Sequence, residues 1–91
     1  MMYQDNLEND FSEAAKQVMY LSKKPDDKEL LKLYGLYKQG LLGNNKENKP
    51  SFFDFKATSK WNAWMNEAGK GRPQAKKEYI EYVEKLKQKY N

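Results

Sequence analysis

Hydrophobic periodicity is the feature that most constrains how this chain can fold. Apolar residues recur three and four positions apart, and no segment alternates apolar and polar residues over a useful length. The pattern is clearest from Ala75 to Tyr90, where lysines take much of the remaining helix surface. This spacing predicts amphipathic α-helices and no β-strand.

The first two helices are delimited by capping and breaking residues. Helix one is predicted over residues 10–21, because Asp10 begins a pattern that resembles a capping box and an apolar stripe follows it. A proline then interrupts the chain. Asp26 and Glu29 have the spacing of a second helix start, so helix two is predicted from there to Leu42.

The second half of the chain begins with a polar connection. The segment 43–50 has no apolar residue and contains glycine, asparagine and proline, which predicts a surface loop. Helix three is predicted to start near Asp54, a plausible N-cap, and to stop at Gly69. Pro73 is compatible with the first turn of helix four, where its missing amide costs no hydrogen bond.

Four short helices with one apolar stripe each can bury those stripes only against one another, which predicts an all-α bundle. The long loop after helix two would let helices two and three run parallel, so a simple up-down-up-down order is not required. A chain of 91 residues can build one modest core. We therefore expect a single domain over residues 1–91.

Composition excludes several classes of chemistry. The chain has no cysteine and no histidine, which removes thiolate chemistry, disulfides and the commonest neutral-pH acid or base. Acidic pairs fall at predicted helix starts, so we interpret them as caps and expect no metal site and no catalytic residue. No segment has the pattern of a secretory signal or the ~20 apolar residues of a membrane span. These features predict an intracellular soluble protein.

Helix two carries a candidate binding site. At about 100° per residue, Lys38 lies about 40° to one side of Tyr34 and Tyr37 about 60° to the other. Leu30 and Leu31 flank this arc, so polar tips emerge beside an apolar surface. Alternatively, the tyrosines pack at the edge of a core with a lysine beside them, and for helix two alone this structural interpretation is the stronger one.

Further donors come from the later helices. Lys56 and Lys60 are four residues apart on helix three, and Tyr79 places a hydroxyl on the apolar stripe of helix four. Taken singly, the two lysines would form a solvated helix face, and Tyr79 would be a core aromatic residue whose hydroxyl group reaches water. Taken together, phenols and ammonium groups suit a phosphate, and aromatic rings suit a nucleobase. With no glycine-rich phosphate loop in the sequence, side chains would have to bind such a phosphate.

The chain resembles the acyl-CoA-binding proteins over nearly its whole length. The stretches that carry the resemblance are FSEAAKQV, KKPDDKELLKLYGLYKQGLLG, FFDFKATSKWNAW and AKKEYIEYVEKLKQKY. The resemblance implies a four-helix up-down-down-up bundle without catalytic activity. It also implies a cytoplasmic monomer that binds, transports and buffers medium- to long-chain fatty acyl-CoA, needs no cofactor, does not insert stably into membranes and contacts acyl-CoA-using enzymes transiently.

The resemblance also implies roles for individual residues. Tyr37 would stack on the adenine, while the 3′-phosphate would be held by Tyr34, Lys38 and Lys60. Tyr79 would close the site over adenine and ribose, and Lys56 would line its edge. The acyl-chain groove would be formed in part by Leu30 and Leu31.

Two departures from the family pattern bear on this site. Met19 stands where many members have a lysine late in helix one, which removes a cation near the CoA phosphates, and Lys16 is one turn earlier. Helix four begins with GRPQ where a Ser or Thr cap is usual, which should affect local stability more than binding. The N-terminus is a few residues longer than in compact animal members.

Two other functions use the same residues. A helical nucleic-acid-binding module would explain lysines and aromatics, but the basic residues alternate with acids on every helix and build no basic face, so we expect no nucleic-acid partner. A helical protein-interaction module would place a partner helix in the groove.

Overall fold

The computed structural model describes residues 3–90, with side chains from residue 6 onward. This part of the chain is all-α and contains no strand. The helices are α1 (Tyr3–Val18), α2 (Asp27–Leu42), α3 (Phe55–Met65) and α4 (Arg72–Lys89). None of the described helices is sufficiently long and apolar to span a bilayer.

The predicted start and end of helix one are both wrong. Asp10 lies in the middle of α1, with its side chain exposed, because the acidic segment before it is itself helical. The helix ends at Val18, where the amides of Met19 and Tyr20 bond to carbonyls only three residues back at 3.0 Å, which tightens the last turn. The predicted apolar stripe is confirmed by the buried Phe11 and Ala14.

The predicted start and end of helix two are confirmed. An Asp26 carboxylate oxygen accepts the Glu29 amide at 2.9 Å, and Glu29 accepts the Asp26 amide at 3.0 Å, completing a capping box. Gly43 follows the helix with φ 83°, a conformation that glycine adopts without steric cost. Its amide bonds to the Gln39 carbonyl at 2.9 Å.

The predicted starts of the last two helices are confirmed, whereas the predicted end of helix three is wrong. Asp54 caps α3 by accepting the Ala57 amide at 3.1 Å. Helix α3 ends at Met65 rather than Gly69, because the next residues form tighter turns whose amides bond three residues back. Helix α4 contains Pro73 in its first turn, and Gly71 caps it without a side-chain hydrogen bond.

Contacts between helix ends define the topology. Lys76 at the start of α4 pairs with Glu8 of α1, and Lys87 Nζ lies 3.3 Å from Gln17 Oε1, so α1 and α4 are parallel. Lys89 Nζ contacts Glu29 at 2.6 Å, which makes α2 antiparallel to α4. Helices α2 and α3 run in the same direction, which the length of the loop between them allows. The order is therefore up-down-down-up, as the resemblance implied.

The core lies mainly between α1, α2 and α4. Helix α2 packs on both α4 and α3, and α4 packs on α1, whereas α3 packs on α2 alone among the described helices. Close approach of α2 and α3 depends on Gly35, because a Cβ there would collide with the Ala63 carbonyl oxygen. The central cluster comprises Phe11, Ala14, Leu33, Leu36, Tyr79, Val83 and Leu86.

Candidate functional site

Two lysines lie near one tyrosine between α2 and α3. Lys38 Nζ is 6.0 Å and Lys60 Nζ 5.4 Å from the centre of the Tyr34 ring. Lys38 Nζ also lies 5.0 Å from the Trp64 ring, a distance at which a cation is attracted to the aromatic face. We call Tyr34, Lys38 and Lys60 the lysine–tyrosine cluster. Its two cations share one aromatic neighbour, so an anion placed there would meet both.

A second group of rings joins α1, α2 and α4. Tyr37 stacks on Phe11 with centroids 5.1 Å apart and planes at 19°. Tyr79 meets Phe11 edge-on at 5.2 Å and Tyr37 at 5.6 Å. We call Phe11, Tyr37 and Tyr79 the aromatic triad. The arc predicted on α2 is therefore divided, with Tyr34 turned toward α3 and Tyr37 toward α1 and α4.

Tyr79 is the most enclosed polar group of the triad. It is only 5% exposed. Burial, followed by the effect of the neighbouring Tyr37, raises the pKa of Tyr79 to about 12. The phenol therefore keeps its proton at neutral pH and remains a hydrogen-bond donor.

A groove runs between the first turns of α2 and α3. Its volume is about 560 Å³, and it brings together the predicted residues Leu30, Leu31 and Lys56 with Tyr34 and Lys60. We call it the α2–α3 groove. Tyr34 and Lys60 thus belong both to the lysine–tyrosine cluster and to the groove. The groove is also lined by Lys24, Asp27, Phe55 and Ser59, which sequence reasoning did not assign to the site.

A second depression continues from this groove along the same two helices. It has a volume of about 460 Å³ and shares Leu31 and Ser59 with the α2–α3 groove. Beyond these two residues most of the side chains that line it end in a polar or charged group, among them Glu67. Burial opposes ionisation of Glu67, but hydrogen bonds from Lys32 at 2.8 Å and Lys70 at 2.5 Å outweigh it and lower the Glu67 pKa. Glu67 therefore adds a charged, paired group to the lining of this depression.

The two tryptophans fasten the loop after α2 to α3. Trp64 is buried and its indole N–H donates to the Gly43 carbonyl at 2.8 Å. The Trp61 indole donates to the Glu47 carbonyl at 2.9 Å. Both side chains therefore hold the wall of the site in position, and Trp64 additionally presents its ring to Lys38.

Sequence reasoning also missed one member of the triad, Phe11, and a lysine that lies beside it. Phe11 was recognised only as part of an apolar stripe, and its contact with Tyr37 depends on how α1 packs. Lys76 is buried, pairs with Glu8 and lies 5.6 Å from the Phe11 ring. Lys16 is exposed and 3.6 Å from Glu13, whereas Met19 is exposed at the end of α1.

The site has the chemistry of a binding surface. Within the described residues, no three His, Cys, Asp or Glu side chains are grouped so that they could hold a metal. Cations and phenols lie beside an apolar groove, and the fold that holds them is a small helical bundle. Fold and site together define a small all-α ligand-binding protein.

The chain matches the family model described as acyl CoA binding protein over residues 8–83. It is 49% identical over 81 residues to acyl-CoA-binding protein 2 of Saccharomyces pastorianus, covering 89% of this chain and 93% of that protein. It is 45% identical over 80 residues to the acyl-CoA-binding protein homolog of Drosophila melanogaster, covering 88% and 93%. The chain belongs to the acyl-CoA-binding protein family, whose members are non-enzymatic binding proteins.

Solved structures give the same assignment. The fold is similar to that of Oryza sativa acyl-CoA-binding protein 2, with a TM-score of 0.88 at 34% identity over 91% of this chain and 92% of that one. It is also similar to the yeast acyl coenzyme A binding protein in solution, with a TM-score of 0.69 at 49% identity over 88% and 93%. The predicted all-α fold class is therefore confirmed.

Proposed function

We propose that this chain binds medium- to long-chain fatty acyl-CoA, with the CoA head on the lysine–tyrosine cluster and the aromatic triad and the acyl chain in the α2–α3 groove. The observation that carries the proposal is the continuity of the lysine–tyrosine cluster with the α2–α3 groove through Tyr34 and Lys60, which belong to both. A ligand that joins an anionic head to an apolar tail fits such a surface. Neither a nucleotide nor a fatty acid alone would use all of it.

Each polar residue of the site has a role in binding the CoA head group. Lys38 and Lys60, with the Tyr34 hydroxyl, bind the 3′-phosphate, because ammonium groups and phenols make charge-assisted hydrogen bonds to a dianion. Tyr37 offers a ring face for the adenine, its other side being supported by Phe11. The protonated Tyr79 closes the site over adenine and ribose.

The tail is held by apolar burial. Leu30, Leu31 and Phe55 line the groove, and Lys56 stands at its edge. Each methylene that enters adds up to about 0.8 kcal/mol. Affinity should therefore rise with chain length until the acyl chain reaches the polar lining near Glu67.

The biological role follows from such binding. We propose that the chain is a single acyl-CoA-binding domain over residues 1–91 and works in the cytoplasm as a monomer. There it carries and buffers acyl-CoA and meets acyl-CoA-using enzymes transiently. Met19 removes one cation of the family pattern, and Lys16 is the nearest substitute along α1.

Titration calorimetry with palmitoyl-CoA tests the ligand class. We expect binding at micromolar protein and strengthening of affinity from octanoyl-CoA to palmitoyl-CoA. A folded sample that binds no acyl-CoA under these conditions would rule out the proposal. A gel shift with DNA or RNA that disappears at high salt would then favour the nucleic-acid alternative.

Two variants test the head-group roles. Tyr37→Leu keeps apolar bulk against Phe11 but removes the aromatic face, so CoA and acyl-CoA should both weaken by about 5- to 150-fold, the equivalent of ~1–3 kcal/mol. Tyr82→Leu, at a half-buried tyrosine that belongs neither to the triad nor to the lining of the groove, should change neither. Unchanged CoA affinity in Tyr37→Leu would exclude stacking there.

Lys38→Ala should weaken the binding of acyl-CoA more than the binding of 3′-dephospho-acyl-CoA. Lys85→Ala removes the same charge from α4, away from the groove, and serves as the control for net charge. Equal losses for the two ligands in Lys38→Ala would mean that Lys38 does not bind the 3′-phosphate.

A further inference from the structure

Three exposed phenylalanines lie together at the start of α3. Phe52, Phe53 and Phe55 are 70%, 76% and 74% exposed, and the rings of Phe52 and Phe53 have centroids 4.1 Å apart. We call these three residues the aromatic patch. Single exposed apolar residues are ordinary, but adjacent exposed rings mark a surface that meets an apolar partner.

The turn that carries the patch is fixed by its own hydrogen bonds. The Ser51 carbonyl accepts the Asp54 amide at 2.9 Å and the Thr58 hydroxyl at 3.3 Å, and the Phe53 amide donates to the Ser51 hydroxyl at 3.3 Å. Asp54 in turn caps α3. The rings are therefore held outward by an ordered turn.

The segment that carries the patch is basic. The segment 44–60 contains four lysines and two acids, and one of the acids, Asp54, is engaged as the α3 cap. All four lysines are exposed: Lys46, Lys49, Lys56 and Lys60. We call them the rim lysines, because two precede and two follow the patch along the chain, and an apolar patch with such neighbours is complementary to a surface that is apolar inside and anionic outside.

We propose that Phe52 and Phe53 dock this protein reversibly on anionic lipid bilayers, with the rim lysines on the lipid head groups. Aromatic rings together with lysines are the side chains that bind the membrane interface. A protein partner fits less well, because lysine is depleted in protein–protein interfaces. The partner is therefore a lipid surface carrying negative charge.

Docking would give the proposed function a route for its ligand. Phe55 belongs to the patch and also lines the α2–α3 groove. A bilayer that meets the patch would therefore lie at the mouth of the groove. An acyl chain could then move between bilayer and groove with little of its surface exposed to water. This use of the surface rests on the proposed acyl-CoA binding, whereas the docking itself does not.

Co-sedimentation with lipid vesicles, without acyl-CoA, tests the docking. The wild-type protein should sediment with vesicles of phosphatidylcholine and phosphatidylserine, less with phosphatidylcholine alone, and less at raised salt. Phe52→Ser/Phe53→Ser should weaken binding to the anionic vesicles by at least about tenfold. Leu41→Ser/Leu42→Ser removes two exposed leucines at the end of α2 and should change binding by less than about twofold. The proposal is overturned if wild type does not bind anionic vesicles or if the double Phe variant binds as wild type does.

Membrane-free calorimetry keeps the two proposals separate. Phe52→Ser/Phe53→Ser should retain octanoyl-CoA affinity within about twofold, since neither ring lines the groove. Wild-type protein that binds octanoyl-CoA but not vesicles would disprove docking and leave the proposed function intact. Vesicle binding without octanoyl-CoA binding would support docking and disprove the proposed acyl-CoA binding.

Discussion

The two sides of α2 differ in how completely they are covered. Toward α4, Leu36 is buried in the central cluster, and Glu29 joins the helix end to Lys89 at 2.6 Å and to Tyr90 at 2.5 Å. Toward α3, the two helices approach closely at Gly35, but the α2–α3 groove between their first turns is open. One helix therefore has a closed side and an open side.

The difference separates stability from binding. The closed side buries Leu36 and pairs the Glu29 carboxylate with Lys89, which stabilises the bundle, and of its groups only the aromatic triad is proposed to meet the ligand. On the open side, Lys38 and Lys60 lie near the Tyr34 ring and are available to an anionic ligand. Packing against α4 thus holds α2 in place. Packing against α3 forms the groove of the site.

The largest expected effect comes from truncating the closed side. Leu36 is 1% exposed, so Leu36→Ala should lower the free energy of unfolding by about 2–5 kcal/mol through lost burial and a cavity. Urea denaturation measures this loss. Residual folded protein should still bind acyl-CoA.

Leu31→Ala is the matched change on the open side. Leu31 is half-buried and lines the groove, so its truncation should cost less than about half as much stability as Leu36→Ala. It should instead weaken palmitoyl-CoA more than CoA. Equal stability losses at the two positions would contradict the division of α2 into closed and open sides.

Gly35→Ala probes the close approach of α2 to α3. The added Cβ would meet backbone atoms of Ala63, including its carbonyl carbon at 2.9 Å, and backbone cannot move aside as a flexible side chain can. Overpacking of this kind costs about 1–3 kcal/mol, partly offset by the higher helix propensity of alanine. We expect lower stability by denaturation and weaker acyl-CoA binding by calorimetry. Increased stability would show that α3 is free to shift.

Because of Glu29, the free energy of unfolding should depend on pH in the acid range. Hydrogen bonds from Lys89 and then Tyr90 outweigh burial and lower the Glu29 pKa from 4.5 to about 2. Because the folded-state pKa is the lower one, this stabilisation is present above pH 4.5 and is lost as the pH falls toward 2. In Glu29→Gln, which keeps an acceptor for the Asp26 amide, stability should fall less steeply over this range. An unchanged slope in pH-dependent denaturation would exclude this role.

The smallest effect concerns the cap of α4. Gly71 has extended backbone angles and no side-chain cap, and a Cβ there would meet nothing closer than Pro73 Cδ at 3.9 Å. Gly71→Ser should therefore raise stability by a few tenths of a kcal/mol, roughly the difference between serine and glycine at an N-cap. Acyl-CoA affinity should not change. A loss of stability would mean that the cap geometry excludes the hydroxyl.

Local signals predicted α2 well and α1 poorly. The capping box at Asp26 and the glycine after Leu42 act within one turn, so sequence alone specifies both ends of α2. At Asp10 the same kind of signal was misleading, because a capping pattern inside a longer polar helix looks like a helix start. The up-down-down-up order of the helices was predicted from the length of the loop after helix two and from the family resemblance.

The site was predictable only within single helices. Helical spacing placed Tyr34 and Lys38 close together, as neighbours four apart are. The approach of Lys60 to Tyr34, and of Phe11 to Tyr37, depends on packing between helices that are distant in sequence. No local pattern indicates the burial of Lys76 beside Phe11 either.

The most direct test of the closed and open sides of α2 is nuclear magnetic resonance titration of the labelled protein with acyl-CoA. The largest shifts should fall on backbone amides of the α2–α3 groove and the lysine–tyrosine cluster, such as Leu31, Tyr34 and Lys60. Amides of Val83 and Leu86, on the closed side, should move little. Shifts concentrated at Val83 and Leu86, or no shifts at saturating acyl-CoA, would contradict the account.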